Sequence, residues 1–387
     1  MTAMRILAVV CSCAMTAVLL GGCWSQKNLE QITVVSGIGI DAAPNDRVAV
    51  TVQLQNPSPP ASAGGGGTAG RRPFAVFSTE GVTVNDALNM LQQQTKKTLF
   101  MSQTRAIVIG EPLAKRGLHD PMDYFWRSSN KNLTSWMLIS KVPAKEVLSK
   151  ARELETVPSD AWKLYFMNKN SRPSSGQMKL FQFLPRLDQD GLEATAAGIA
   201  PVGQGTMRIS ETAVFRHDKM AGWLSDDETE MLRWIKKEIG SHVIVLNTKF
   251  PGQPAMSFNL THFRSSVTPQ VKGDRISFAI RLKAEAEGTS TPIRLDYTDR
   301  AAVDRLETRI SGLVREQALA MLNKLCKTYK ADAVGFGRKL HRKYPQRWKT
   351  LKNGWNDRLP QLEVNVDARV QIVHSGMERI SKSEQKD

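Results

Sequence analysis

The chain has 387 residues, 41% of them hydrophobic and 23% charged, a balance typical of folded globular protein and unlike that of a disordered or collagen-like chain. Its formal charge of +16 favours anionic surroundings. The sequence has no paired Cys/His ligand motif and no aromatic-rich RNA-binding signature, which argues against nucleic acid as the partner.

The first element is a leader. Arg5 precedes an uncharged apolar run from Ile6 to Leu20. At about 15 residues it falls short of the ~20 that a spanning helix needs, so it reads as a secretion signal. Leu20, Gly21, Gly22 and Cys23 fit a bacterial lipobox. The branched residue and two small ones let an extended backbone enter a peptidase cleft, and the thiol accepts a diacylglycerol. Residues 1–22 are therefore expected to be cleaved, with Cys23 as the lipid attachment. No cofactor or metal is expected. The added chemistry is covalent: a diacylglycerol on Cys23, whose freed amino group is open to a further acyl chain. Two or three acyl chains hold firmly, because each buried methylene contributes about 0.8 kcal/mol. Cys11 and Cys13 leave with the leader, so Cys326 remains alone, with no disulfide partner in the chain; its place in an apolar helical stripe predicts a buried, inert thiol. Removing 22 of 387 residues leaves 365, enough for two or three domains.

After the leader, residues 32–40 read as a buried strand and 41–47 as a turn. Val48, Val50, Val52 and Leu54 alternate with Ala49, Thr51 and Gln53 in a second strand. Residues 56–73, rich in Gly and Pro, form a loop; no Lys-Ser/Thr follows its glycines, so it is no phosphate cradle. Phe74 to Ser78 is extended. Thr83 caps a helix to about Lys97. Arg105 to Ile109 is a short strand ended by Gly110 and Pro112, and 113–131 holds short helical pieces. Trp136 to Ser140 is a strand, and a helix starts at Pro143. This alternation describes an α/β or α+β unit to about residue 200, with a boundary in the Gly-rich stretch near 198–212. Beyond it come Ala213 to Phe215, a turn at His217 to Lys219, and Met220 to Leu224. Ser225 to Glu228 is a capping box. Strands follow at 243–249 and 255–263. From Ile276 to Ala286 alternation predicts a sheet with one wet side. The longest helix spans about 299–328, shorter helices cover 332–343 and 345–355, and a last strand runs from Leu362 to Ile372. The domains are thus 1–22 (signal), 23–200, 205–376 and a polar tail at 377–387.

Catalytic patterns are missing from the sequence. The six histidines show no metal spacing, and there is no Gly-x-Ser-x-Gly elbow. Ser128-x-x-Lys131 is unsupported by a later Lys-Thr-Gly. Asp226 to Glu228 and Asp332 could be called carboxylate clusters, but the first reads as charge at a helix start and no enzyme constellation results. The segment 335–355 is the most distinctive. It carries Arg338, Lys339, Arg342, Lys343, Arg347 and Lys349 without an acid, interleaved with Phe336, Tyr344, Trp348 and Trp355. Two readings compete: aromatics packed in a core beneath a solvated charged face, or a basic surface docking on anionic headgroups or an acidic partner loop.

Several landmarks taken together resemble the Ger(x)C family, the lipoprotein C subunit of spore nutrient germinant receptors. These are Gly22-Cys23-Trp24, Val35-Ser-Gly-Ile-Gly-Ile-Asp41, Glu80 to Ala87, Arg105 to Glu111 with Leu113 to Gly117, Ala213 to Phe215, Ala331-Asp-Ala-Val-Gly-Phe-Gly337, Tyr344-Pro345, Trp348 and Trp355. The resemblance implies an elongated, multi-domain α+β ectodomain with mixed and antiparallel sheets flanked by helices. It also implies a non-enzymatic role on the outer face of the spore inner membrane, beside two integral membrane subunits, A and B. It carries over no ligand site. Two other classes remain: a solute-binding lipoprotein, which would show two similar lobes, and a wall-active enzyme, which would need an acid or metal site.

Overall fold

The computed structural model describes Ile6 and residues 31–56, 73–150, 157–167, 176–203, 206–239, 244–248, 256–290 and 299–373. Leu20 to Cys23, most of the Gly/Pro loop and the tail at 377–387 lie outside the described residues. The architecture is α+β, built on two sheets.

The first sheet is mixed and nine-stranded. Its strands are β1 (Ile32–Ala42), β2 (Val48–Gln55), β3 (Phe74–Gly81), β4 (Thr98–Phe100), β5 (Ala106–Gly110), β6 (Trp136–Ser140), β7 (Thr195–Val202), β8 (Thr206–Arg216) and β9 (Lys219–Leu224). The spatial order is β3-β2-β1-β5-β6-β7-β8-β9, with β4 beside the first residues of β1. β1, β4, β5, β6 and β7 run parallel, so all of them begin at one end, here called the leading end.

Helices cover both faces, and this explains why the central strands are apolar throughout. On one face lie α1 (Val84–Thr95), α2 (Glu111–Arg116), α3 (His119–Arg127) and α6 (Leu180–Leu187). On the other lie α4 (Ala144–Ser149) and α5 (Pro158–Met167). Thr83 caps α1 as expected, its hydroxyl accepting the Asp86 N–H at 3.1 Å. Pro112 starts α2 rather than ending the segment, because the first turn of a helix has no use for the missing N–H. The glycines of β1 let α4 lie close. A Cβ on Gly39 would come within 2.8 Å of the Ala144 Cβ, and Asp41 accepts the Ala144 N–H at 2.9 Å.

Thr51 and Gln53, the polar half of the β2 alternation, are fully buried under α4 and α5. Gln53 resolves the cost of burial by bonding at both ends of its amide. Its Oε1 accepts from the hydroxyls of Ser36 (2.9 Å) and Ser159 (2.7 Å), and its Nε2 donates to the Leu148 carbonyl (2.7 Å).

The expected boundary near 198–212 falls inside this sheet. β7 and β8 pair antiparallel across it, Val202 against Thr206, and the bulge at Ala197/Gly198 belongs to a strand rather than a linker. Small residues gather there because strands approach closely: a Cβ on Gly198 would meet the Ser210 carbonyl oxygen and Trp223.

The second sheet, β10 (Ile244–Thr248), β11 (Met256–Lys272), β12 (Arg275–Ser290) and β13 (Glu363–Ile372), lies in that order. β13 runs parallel to β12. Phe278, Ile280, Leu282, Ala284 and Ala286 are buried on one face of β12 while Arg281 and Lys283 on the other are exposed, as alternation predicts. α7 (Asp226–Lys236) begins at the Ser225/Glu228 capping box. α8 (Arg300–Asn323) continues through a π-helical turn at Lys324–Tyr329. α9 (Phe336–Lys343), α10 (Pro345–Leu351) and α11 (Trp355–Arg358) complete the layer. Residues 332–335 form a tight turn instead of the expected first helical turn.

Replacing Gln53 with Leu strands the Ser159 hydroxyl and the Leu148 carbonyl, while the Ser36 hydroxyl keeps only its bond to the residue-53 main-chain carbonyl. The variant should lose about 2–4 kcal/mol of stability, seen as a lower urea midpoint with an unchanged denaturant slope.

Candidate functional site

The 331–358 segment is organised by one carboxylate. Asp332 is buried, and its Oδ1 accepts the backbone N–H groups of Gly335 and Phe336, each at 2.7 Å. Its Oδ2 accepts the Gly337 N–H at 2.7 Å and the Trp355 indole N–H at 2.8 Å. The first free N–H groups of α9 are thereby satisfied by an anion at the positive end of a helix. Burial pushes the Asp332 carboxyl up, and the four donors pull it back down. The main-chain carbonyl of Asp332 accepts the Glu193 N–H at 3.0 Å, tying the turn to the residues just before β7.

Two glycines make the turn possible. Gly335 adopts φ +80°, a left-handed conformation that suits glycine. A Cβ on Gly337 would meet the Gly191 Cα at 2.5 Å and the Trp348 ring at 2.6 Å, so the chain before β7 and the start of α9 touch main chain to main chain. The Arg338 N–H donates to the Gly191 carbonyl at 3.0 Å.

Beneath α9 the aromatics form core. Phe336 packs on Phe278 with ring centres 4.5 Å apart, and Trp348 meets Trp355 edge to face at 5.2 Å. Phe336, Leu340, Trp348 and Trp355 are all buried. Cys326, behind them, is buried as well, and burial pushes its thiol up to about 12, a protonated and unreactive state.

The charges lie outward, with unequal freedom. Arg338, Arg342, Lys343 and Lys349 are exposed, and Lys339 and Arg347 half-buried. Arg347 pairs with Asp274 in the β11–β12 turn, and the Lys343 ammonium donates to the Pro269 carbonyl at 3.1 Å. Among the described residues Arg338, Lys339, Arg342 and Lys349 have no acid within ion-pair distance. Burial lowers the Lys339 pKa, and repulsion from Arg342, Arg338 and Lys237 lowers it further.

Two further cations lie behind this face. Burial lowers the pKa of Arg186 of α6 and of Lys236 of α7, Arg338 lowers both further, and Glu238, which pairs with Lys236 at 3.0 Å, opposes the shift. A short-range scan cannot find such a cluster, because its members come from three distant segments. The face is cationic with a rigid floor. It presents charge and shape but no nucleophile–base pair. Among the described residues no group of three or more His, Cys, Asp and Glu is placed to hold a metal.

Comparison with known proteins follows this layout. A model described as spore germination protein N-terminal domain matches residues 25–201, and one described as spore germination B3/GerAC like, C-terminal, matches residues 210–376. Spore germination protein KC of Bacillus subtilis (strain 168) is 25% identical, over 94% of each chain. Spore germination protein B3 of the same organism is 20% identical, over 92% of this chain and 94% of its own. The crystal structure of the GerBC protein aligns with a TM-score of 0.58 at 16% identity, covering 87% of this chain and 97% of that one; this is a likeness of fold.

Replacing Asp332 with Asn turns one acceptor oxygen into a donor facing N–H groups. The variant should be destabilised by about 3 kcal/mol or more, with loss of the near-ultraviolet circular dichroism of the Trp348/Trp355 pair.

Proposed function

The chain belongs to the Ger(x)C family of spore germination proteins, and from that premise we propose that it is the lipid-anchored C subunit of a spore nutrient germinant receptor. The observation that carries this reading is the match of both family domains, in order, over residues 25–201 and 210–376. Those residues begin two positions after the lipobox cysteine. Cys23 takes the diacylglycerol, and Leu20, Gly21 and Gly22 guide cleavage. In this reading the acyl chains supply the attachment; no helix among the described residues is long and apolar enough to cross a membrane.

The partners in this reading are the integral membrane subunits A and B and the anionic surface of the spore inner membrane, on whose outer face the ectodomain sits. Its work is contact rather than catalysis. A rigid body held against the membrane subunits biases them between silent and signalling states through its different fit to each. The unpaired cations of α9 support a basic docking face, since each cation near an anionic surface contributes about 1 kcal/mol. The two sheets differ in strand number and topology, unlike the paired similar lobes of a solute-binding lipoprotein.

Two experiments test this. Cys23→Ala should stop incorporation of labelled palmitate, release the protein from spore membranes and abolish the germination response to nutrient. A variant that stays membrane-bound and germinates normally would sink the anchor. Replacing Arg338, Lys339, Arg342 and Lys343 together with Gln should weaken co-purification with the A and B subunits, most visibly at low salt; unchanged assembly and response would leave that face as ordinary solvated surface.

A further inference from the structure

Three exposed apolar side chains gather at the leading end of the first sheet. Trp126 is 45% exposed, Leu133 46% and Phe181 49%. They are close through main-chain bonds. The Phe181 N–H donates to the Leu133 carbonyl at 3.0 Å, and the Lys131 ammonium donates to the Trp126 carbonyl at 3.0 Å. All three belong to segments with well-formed anchors: Leu180 bonds to Ser135 at 2.9 Å, and Asn132 to the Thr104 carbonyl at 2.8 Å. Firmly held main chain that presents large apolar side chains to water marks a contact surface.

The topology says what lies opposite. β1 begins at Ile32 on this same end, level with Thr98 of β4 and on the side where β5, β6 and β7 also start. Cys23 is nine residues before Ile32, a tether of at most roughly 30 Å. The strand starts from β1 to β7 span three inter-strand spacings, roughly 14 Å. A lipid on Cys23 is therefore joined to the fold at the leading end, the part of the first sheet that the tether enters. Exposed Lys96 and Lys97 immediately precede β4, and Lys131 and Lys179 flank the apolar group. Asp120, Asp188 and Asp218 surround His119 at the first turn of α3, and the β8–β9 turn that carries Asp218 lies on the β7 side of this same end, since Val214 pairs with Thr195. At the β7 side, α9 is bonded to Gly191, so its cations share the same end.

We infer that the leading end is the bilayer-facing end of the molecule, with Trp126, Leu133 and Phe181 seated in the headgroup region of an anionic membrane and the exposed Lys96 and Lys97 on the lipid phosphates. Large aromatic and aliphatic side chains beside lysines are the composition of an interfacial contact. This inference rests on the Cys23 anchor of the previous section. It adds an orientation: the far end of the first sheet, where Ala42 pairs with Val48 and Val48 with Gly81, faces away from the bilayer.

The test uses the full chain on vesicles of equal parts phosphatidylcholine and phosphatidylglycerol. Nitroxide labels are placed on Leu133→Cys, Phe181→Cys and, as control, Val82→Cys. Val82 is 69% exposed and follows β3 at the opposite end, where Gly81 pairs with Val48. The buried Cys326 does not compete for label. Labels at 133 and 181 should be several-fold less accessible to a water-soluble nickel chelate, and more accessible to oxygen, than the label at 82. Acylation is read separately from the mass of the amino-terminal peptide. Equal accessibility at all three positions in an acylated, vesicle-bound chain overturns the docking face and leaves the anchor standing; an unacylated chain overturns both. Shielding of 133 and 181 that requires the A and B subunits rather than lipid also overturns it.

Discussion

Four N–H groups converge on the two oxygens of Asp332, three from the main chain and one from an indole. Each donor is buried, so leaving any of them unsatisfied would be costly. With them paired, the turn at 332–335 can exist and α9 can start where it does. Trp355 is then held against Trp348, and the cationic side of α9 is forced outward. The basic face is thus a by-product of a buried anion, and its direction is set by the core rather than by its own charges.

The same turn joins the two halves. The Asp332 carbonyl takes the Glu193 N–H, and the Glu193 carboxylate accepts the His217 N–H at 2.8 Å and a bond from the Asn356 amide. Burial pushes the Glu193 carboxyl up and the Asn356 and His217 bonds hold it back. Since β8 and β9 complete the first sheet while Val214 and Leu224 sit in the core shared with α7, α8 and the second sheet, the hairpin belongs to both. The family models divide the chain between residues 201 and 210, yet hydrogen bonds and core run straight across that division. Motion of one half against the other would have to break sheet, not bend a linker.

Local rules were enough where the local signal was strong. The Ser225/Glu228 box, the Thr83 cap, the alternation of β12 and the β8–β9 turn were legible because each depends on neighbours within a few residues. α5 and α6 went unread, although Leu180, Phe183, Leu184 and Leu187 show helical spacing in α6; Pro185 inside it obscured the pattern. Gln53 and Thr51 could not be placed from alternation, since only the packing of α4 and α5 shows that both faces of β2 are dry. The role of Asp332 could not be read because its partners are backbone groups and an indole 23 positions away. Arg186 and Lys236 join Arg338 only in space.

The last strand of the chain also has a kinetic meaning. β13 lies parallel to β12, residue 363 beside residue 277, with four helical segments between them in sequence. Parallel partners so far apart form slowly, because the intervening chain must be ordered before the pairing is rewarded. Until residue 372 has been synthesised β12 lacks its full strand neighbour on that edge. The chain therefore passes through a stage with an open strand edge, in which it is a substrate for chaperones and for self-association. Any shortening of the chain before residue 363 would make that stage permanent.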